Sequence, residues 1–204
     1  MKVTSQKTLW EQYGKIALTG VVLFVVAYAG MQYYFNRQID QKVQASKTYD
    51  NLMVLLEEDK TVEAAAEAQE LIDRHPNSPY ASLASLMLAK LAVEDGDLPS
   101  ADKHLRFVIK TDKNGPIHEV AKVRLARVLS EQRQFDEALK LLDPAAVPDA
   151  YLTLVEEARG DIFLLQDKRD EARVAYQAAV KAAVPGTPIE RLQLKQAELG
   201  IKEE

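Results

Sequence analysis

The chain has 204 residues, no cysteine, 47% hydrophobic and 28% charged side chains, and a formal net charge of −5. Without Cys there is no disulfide, thiolate metal site, Cys nucleophile or lipid-modified Cys. Eight Gly and eight Pro argue against long disordered linkers, and the acidic balance makes nucleic acid a poor partner, because that binding rests on neutralising phosphates.

Met1 to Lys15 carries three Lys and one Glu, and Ile16 to Phe35 then runs for 20 residues without a charge. A helix of that length spans roughly 30 Å, the thickness of a bilayer's hydrocarbon core. In lipid a lone span must satisfy its backbone internally, so it must be a helix. Trp10 and Tyr13 precede the run and Tyr33, Tyr34 and Phe35 close it, as in an interfacial belt. A core helix of a soluble domain would show a polar face, which this stretch lacks. A cleaved signal peptide would use Lys15, the run to Val26 and the Ala27-Tyr28-Ala29 site. The apolar run continues past that site, so the expectation is a retained anchor: 1–15 a cytoplasmic tail, 16–35 the span, 36–204 the soluble domain. Basic residues tie across the span, with Lys2, Lys7 and Lys15 before it and Arg37, Lys42 and Lys47 after. The charge count alone therefore leaves orientation open. A short basic tail ahead of a domain with 23 basic and 30 acidic residues still leans towards the domain being translocated.

From Asn36 to Glu58 the pattern stays helical, with Ile39, Val43, Tyr49, Leu52, Leu55 and Leu56 as an apolar stripe. The first proline is Pro76, so nothing obliges the membrane helix to stop at the interface. Beyond it the sequence repeats. Asp95-Gly96-Asp97, Gln132-Arg133-Gln134 and Gln166-Asp167-Lys168 are matching turns, each followed by a helix start and a small residue. Those anchoring residues are Ala101, Ala138 and Ala172, spaced by 37 and 34, with Ala64 a weaker copy 37 earlier. Such spacing of paired helices marks a tetratricopeptide-like array. Before each anchor comes an apolar-small pair, Leu88-Ala89 and Leu125-Ala126, which becomes Arg159-Gly160 in the last copy. After it, Leu105, Leu142 and Tyr176 fill the bulky position and Val108, Ala145 and Ala179 the small one.

Ser78-Pro79 predicts an N-cap and N1 proline. Thr187-Pro188-Ile189-Glu190 reads as a capping box. Turns are predicted at Gly115-Pro116, Asp143-Pro144, Pro148-Asp149 and Pro185-Gly186. A last helix over 188–200, with Leu192, Leu194 and Leu199 apolar and Ile201 following, would close the exposed end of the array. The fold class expected is all-α: a solenoid of helical hairpins behind one N-terminal transmembrane helix.

The architecture resembles the YfgM-type family of ancillary subunits of the bacterial Sec translocon. The resemblance covers nearly the whole chain and is carried most by Trp10-Glu11-Gln12-Tyr13-Gly14-Lys15 and by Ala158-Arg159-Gly160-Asp161-Ile162-Phe163. It implies a single-pass inner-membrane protein with its domain in the periplasm. It also implies association with the Sec translocon channel and with a membrane-anchored periplasmic chaperone of the prolyl-isomerase type, helping to handle newly translocated proteins. The alternative is a periplasmic chaperone that binds unfolded clients directly.

No catalytic signature is present. His75, His104 and His118 form no HExxH motif, and there is no phosphate loop or G-x-S-x-G elbow. His75 reads as a turn residue, and His104 and His118 as solvated helix positions. Glu57-Glu58-Asp59 and Glu156-Glu157 are adjacent acids that point to different helix faces. A non-enzymatic chain with no metal or cofactor is expected. By repeat position the concave rows are Leu83, Leu86 and Lys90, then Val120, Val123 and Arg127, then Leu154, Glu157 and Asp161. Their apolar members read either as core or as a groove for a protein segment, rimmed by the polar ones.

Overall fold

The computed structural model of the chain describes residues 4–113 and 115–200, with side chains from Leu18 onward except Gln38. Lys2 and Ile201 lie outside the described residues, as do the side chains of Lys7, Trp10, Tyr13 and Lys15. The described residues form nine α-helices and no strand: α1 (Thr4–Glu57), α2 (Thr61–Arg74), α3 (Pro79–Glu94), α4 (Leu98–Thr111), α5 (His118–Glu131), α6 (Phe135–Leu141), α7 (Asp149–Leu165), α8 (Arg169–Ala182) and α9 (Glu190–Glu198). A 3-10 helix over Pro144–Ala146 follows α6. Contacts divide the chain into two units, Met1–Lys47 and Thr48–Glu204.

From Leu18 to Val43, in the first unit, α1 leaves its apolar side chains bare. Leu18 is 67% and Phe24 72% exposed, and Tyr28 stacks on Phe24 one turn away with ring centroids 6.5 Å apart. Among the described residues it is the one helix long and apolar enough to cross a membrane. The stripe expected along 39–56 divides: Ile39 and Val43 are exposed, whereas Leu52 is buried.

The second unit is a row of helical hairpins. Four turns share one backbone pattern. The amides of Lys60, Asp97, Gln134 and Lys168 donate to the carbonyls of Leu55, Ala92, Leu129 and Phe163 at 2.7–2.9 Å. Each preceding residue, Asp59, Gly96, Arg133 or Asp167, is left-handed, with φ from 57° to 76°. With the amides of those left-handed residues donating in turn to Leu56, Val93, Ser130 and Leu164, two hydrogen bonds close the last turn of each helix and redirect the chain into the next. Glycine is the unstrained choice there, and only one turn of the four has it. Five residues after each left-handed position comes Ala64, Ala101, Ala138 or Ala172, all fully buried where paired helices meet. One core runs from Leu86 to Ile162 around α3, α4, α5 and α7. A smaller one gathers Ala172, Tyr176, Ala179, Leu192 and Leu199 between α8 and α9.

The Ser78 hydroxyl accepts from the Tyr80 amide at 3.2 Å with Pro79 in the first turn, as the sequence suggests. The Thr187 capping box does not form. α9 begins at Glu190, behind Ile189, with no side-chain cap, because the Thr187 amide is used in a turn onto the Val184 carbonyl. Ala145 is not a buried small position either. It is exposed in the 3-10 helix, since Pro144 lacks an amide donor and its ring would strike the preceding turn, so α6 ends early. The histidines are less solvated than their helix positions suggest. The Ser85 hydroxyl donates to the His104 carbonyl at 2.9 Å, and burial pushes the His104 imidazole below its usual range. The Nδ1 of His118 is buried without a partner among the described residues.

Candidate protein-binding groove

α3 and α5 part over α4 to form an open pocket of about 390 Å³. Its floor is Ala89, Leu98, Leu105 and Val128, and its walls are Lys90, Val93, Glu94, Arg124, Arg127 and Glu131. Lys90 and Arg127 are one repeat apart, which sets them at matching places on neighbouring helices. Each has a loose ion pair: Lys90 Nζ lies 3.5 Å from Glu94 and Arg127 Nη2 4.0 Å from Asp161. Exposed pairs of this length contribute little to stability and leave both cations free to meet a ligand.

The expected rows separate into three groups. Lys90 and Arg127 line the pocket. Leu86 and Val123 are buried in the main core, with Leu154 half-buried against it; Val120 is also half-buried, and Leu83 is exposed but lies outside the pocket. Glu157 and Asp161 are not an open rim. α9 lies over them. Val93, Glu94, Arg124 and Glu131 were absent from the sequence-derived rows, although each is three or four residues from Lys90 or Arg127, one helical step away.

The tetratricopeptide repeat-like domain family matches residues 7–201. The chain is 31% identical over 200 residues to the ancillary SecYEG translocon subunit of Escherichia coli (strain K12), covering 98% of this chain and 96% of that one. It is 30% identical over 191 residues to the subunit of the same name from Neisseria gonorrhoeae, at 93% and 91% coverage. The chain belongs to the ancillary SecYEG translocon subunit family.

In this chain the third row is occupied from within. Lys195 of α9 donates to Glu157 at 2.9 Å and to Asp161 at 2.5 Å, and Arg191 pairs with Glu157 at 2.7 Å. The ammonium of Lys195 also stands 5.5 Å from the centroid of the Tyr176 ring. Burial alone would push the Glu157 carboxyl up, but Lys195 and Arg191 outweigh it and hold the acid below its usual range. Burial, with the hydrogen bond to Asp161, pushes the Tyr176 hydroxyl far up, so it stays a neutral donor. These perturbed groups are locked in pairs inside the contact between α7, α8 and α9. The α3–α5 groove, by contrast, is open, with an apolar floor and mixed charges at its edge.

Proposed function

We propose that the chain is a non-enzymatic, single-pass inner-membrane scaffold whose repeat domain lies in the periplasm. Residues 1–15 are the cytoplasmic tail, 16–35 the span and 36–204 the repeat domain. Its relatives are named as subunits of the SecYEG translocon, so the channel complex is the first partner. A membrane-anchored prolyl-isomerase-like chaperone is the second, and the two contacts together bring chaperone and newly translocated chains to one place. The observation that carries this reading is the α3–α5 groove, open, apolar at its floor and flanked by Lys90 and Arg127. Tethering both partners to one membrane raises their effective concentration towards the millimolar range, so affinity of the soluble part alone need only be weak.

The test is recovery of purified SecYEG on the full-length chain in detergent. Recovery at fixed stoichiometry is expected, and Arg127→Glu should reduce it while leaving the melting temperature almost unchanged. Failure of the wild-type chain to retain SecYEG would sink the reading. A phosphatase fused at the C-terminus should be active; an inactive fusion would put the domain on the other side. The apolar floor also favours a second reading, a chaperone that grips unfolded clients directly. That reading requires a heterogeneous set of bound chains in place of a fixed complex.

A further inference from the structure

α6 has seven residues, whereas α2, α4 and α8, which hold the same place in their hairpins, have fourteen. About two turns of helix, roughly 10 Å, are therefore missing from one position in the array. Beside the gap, α7 and α8 form a cleft of about 390 Å³, lined by Glu156, Arg159 and Phe163 of α7 and by Glu171, Val174 and Ala178 of α8.

Two departures from the repeat pattern fall on this cleft. Arg159 stands where the earlier hairpins have Leu88 and Leu125, both buried. Its guanidinium donates to the Leu142 carbonyl at the end of the shortened α6 and to Glu156, both at 3.2 Å. It also lies over the Phe163 ring, 5.6 Å from the centroid. The cleft's one cation is thus tied down. Val174 stands where α4 and α6 have Lys103 and Lys140, two exposed lysines. It is 64% exposed, a larger aliphatic side chain than the exposed Ala66 of α2 and uncharged where α4 and α6 carry lysine. Asp170 and Glu171 stand exposed at the mouth, with Asp170 paired to Arg173.

We propose that this notch receives a basic amphipathic helix of about two turns from a protein partner, docked where the missing turns of α6 would lie. Its apolar stripe would cover Phe163, Val174 and Ala178, and its Lys or Arg side chains would face Asp170 and Glu171, as charge complementarity requires. The inference rests on the scaffold reading and gives the chemistry of one of its contacts, on a surface separate from the α3–α5 groove.

The test uses the full-length chain in detergent with purified SecYEG as the probe, measuring affinity at two salt concentrations. The double substitution Val174→Lys and Ala178→Lys should weaken binding about tenfold or more. The melting temperature should hold, because neither side chain is in the core. Glu171→Lys should weaken binding as well and flatten its salt dependence. If the wild-type chain binds and the Val174→Lys, Ala178→Lys variant binds equally well, the notch proposal is overturned and the scaffold reading stands. If the double variant weakens binding but Glu171→Lys and salt have no effect, the basic character of the occupant is overturned. Failure of the wild-type chain to bind SecYEG overturns the scaffold reading and the notch assignment with it.

Discussion

Gly160 of α7 lies flat against the ring of Tyr176 in α8: a Cβ at position 160 would fall 2.4 Å from Tyr176 Cε1. The ring is fully buried and its hydroxyl donates to Asp161 at 2.7 Å, so it has nowhere to retreat. In an open helix interior, Gly→Ala gains roughly 0.5–1 kcal/mol. Here the sign should reverse. Gly160→Ala is expected to lose about 1–3 kcal/mol by overpacking, measured by urea unfolding at neutral pH. A gain would mean that α7 and α8 are less tightly apposed than their side chains indicate.

The left-handed turns give the opposite kind of substitution. Arg133 has φ 62°, a conformation that crowds the Cβ of every L-residue other than glycine. Its cation–π contact with Phe135, at 5.9 Å, is the one interaction at stake. Arg133→Gly should raise stability by about 1 kcal/mol, visible as a higher denaturant midpoint with an unchanged slope.

Acid should loosen the contact between α7 and α9. The Glu157 carboxyl is held below its usual range in the folded chain by Lys195 and Arg191, so folding favours the ionised form. Its contribution is complete above the unfolded value, about 4.3, and is lost as pH falls through the lower folded value. Glu157→Gln should therefore be less stable than wild type at neutral pH and converge on it in acid. Parallel melting curves from pH 7 to pH 3 would show that the pair contributes nothing.

Buried and partly open alanines should separate cleanly. Ala138→Leu and Ala172→Leu place three extra carbons in a fully buried contact and should each cost about 1–3 kcal/mol. Ala178→Leu extends into the α7–α8 cleft and should be tolerated. Leu86→Asp puts a carboxylate into the main core and should unfold the domain rather than probe a surface. Equal losses at Ala172 and Ala178 in thermal melts would mean the hairpin register is misplaced.

The hairpins were legible because close helix pairs require small residues at fixed intervals, and Ala64, Ala101, Ala138 and Ala172 mark them. The membrane-length run was legible because twenty uncharged residues have few other uses. Individual contacts were harder. Leu86 and Lys90 lie one helical turn apart, yet one is core and the other wall, because burial depends on where α4 and α5 cross α3. Glu157 looked like a rim acid because nothing local shows that α9 folds back over it. Ala145 fitted the spacing of small positions, but Pro144 decided its place instead. A proline that marks a turn also ends the helix before it, and so exposes the residue that follows.

The four hairpin turns are made almost wholly of backbone hydrogen bonds, at Lys60, Asp97, Gln134 and Lys168. A main-chain amide is supplied by any residue other than proline, so the turns place little constraint on which side chains surround them. Mutations can accumulate over most of the surface while the path of the chain stays fixed, provided the four alanines remain small. A surface held on such a frame can change what it touches without the frame having to change with it.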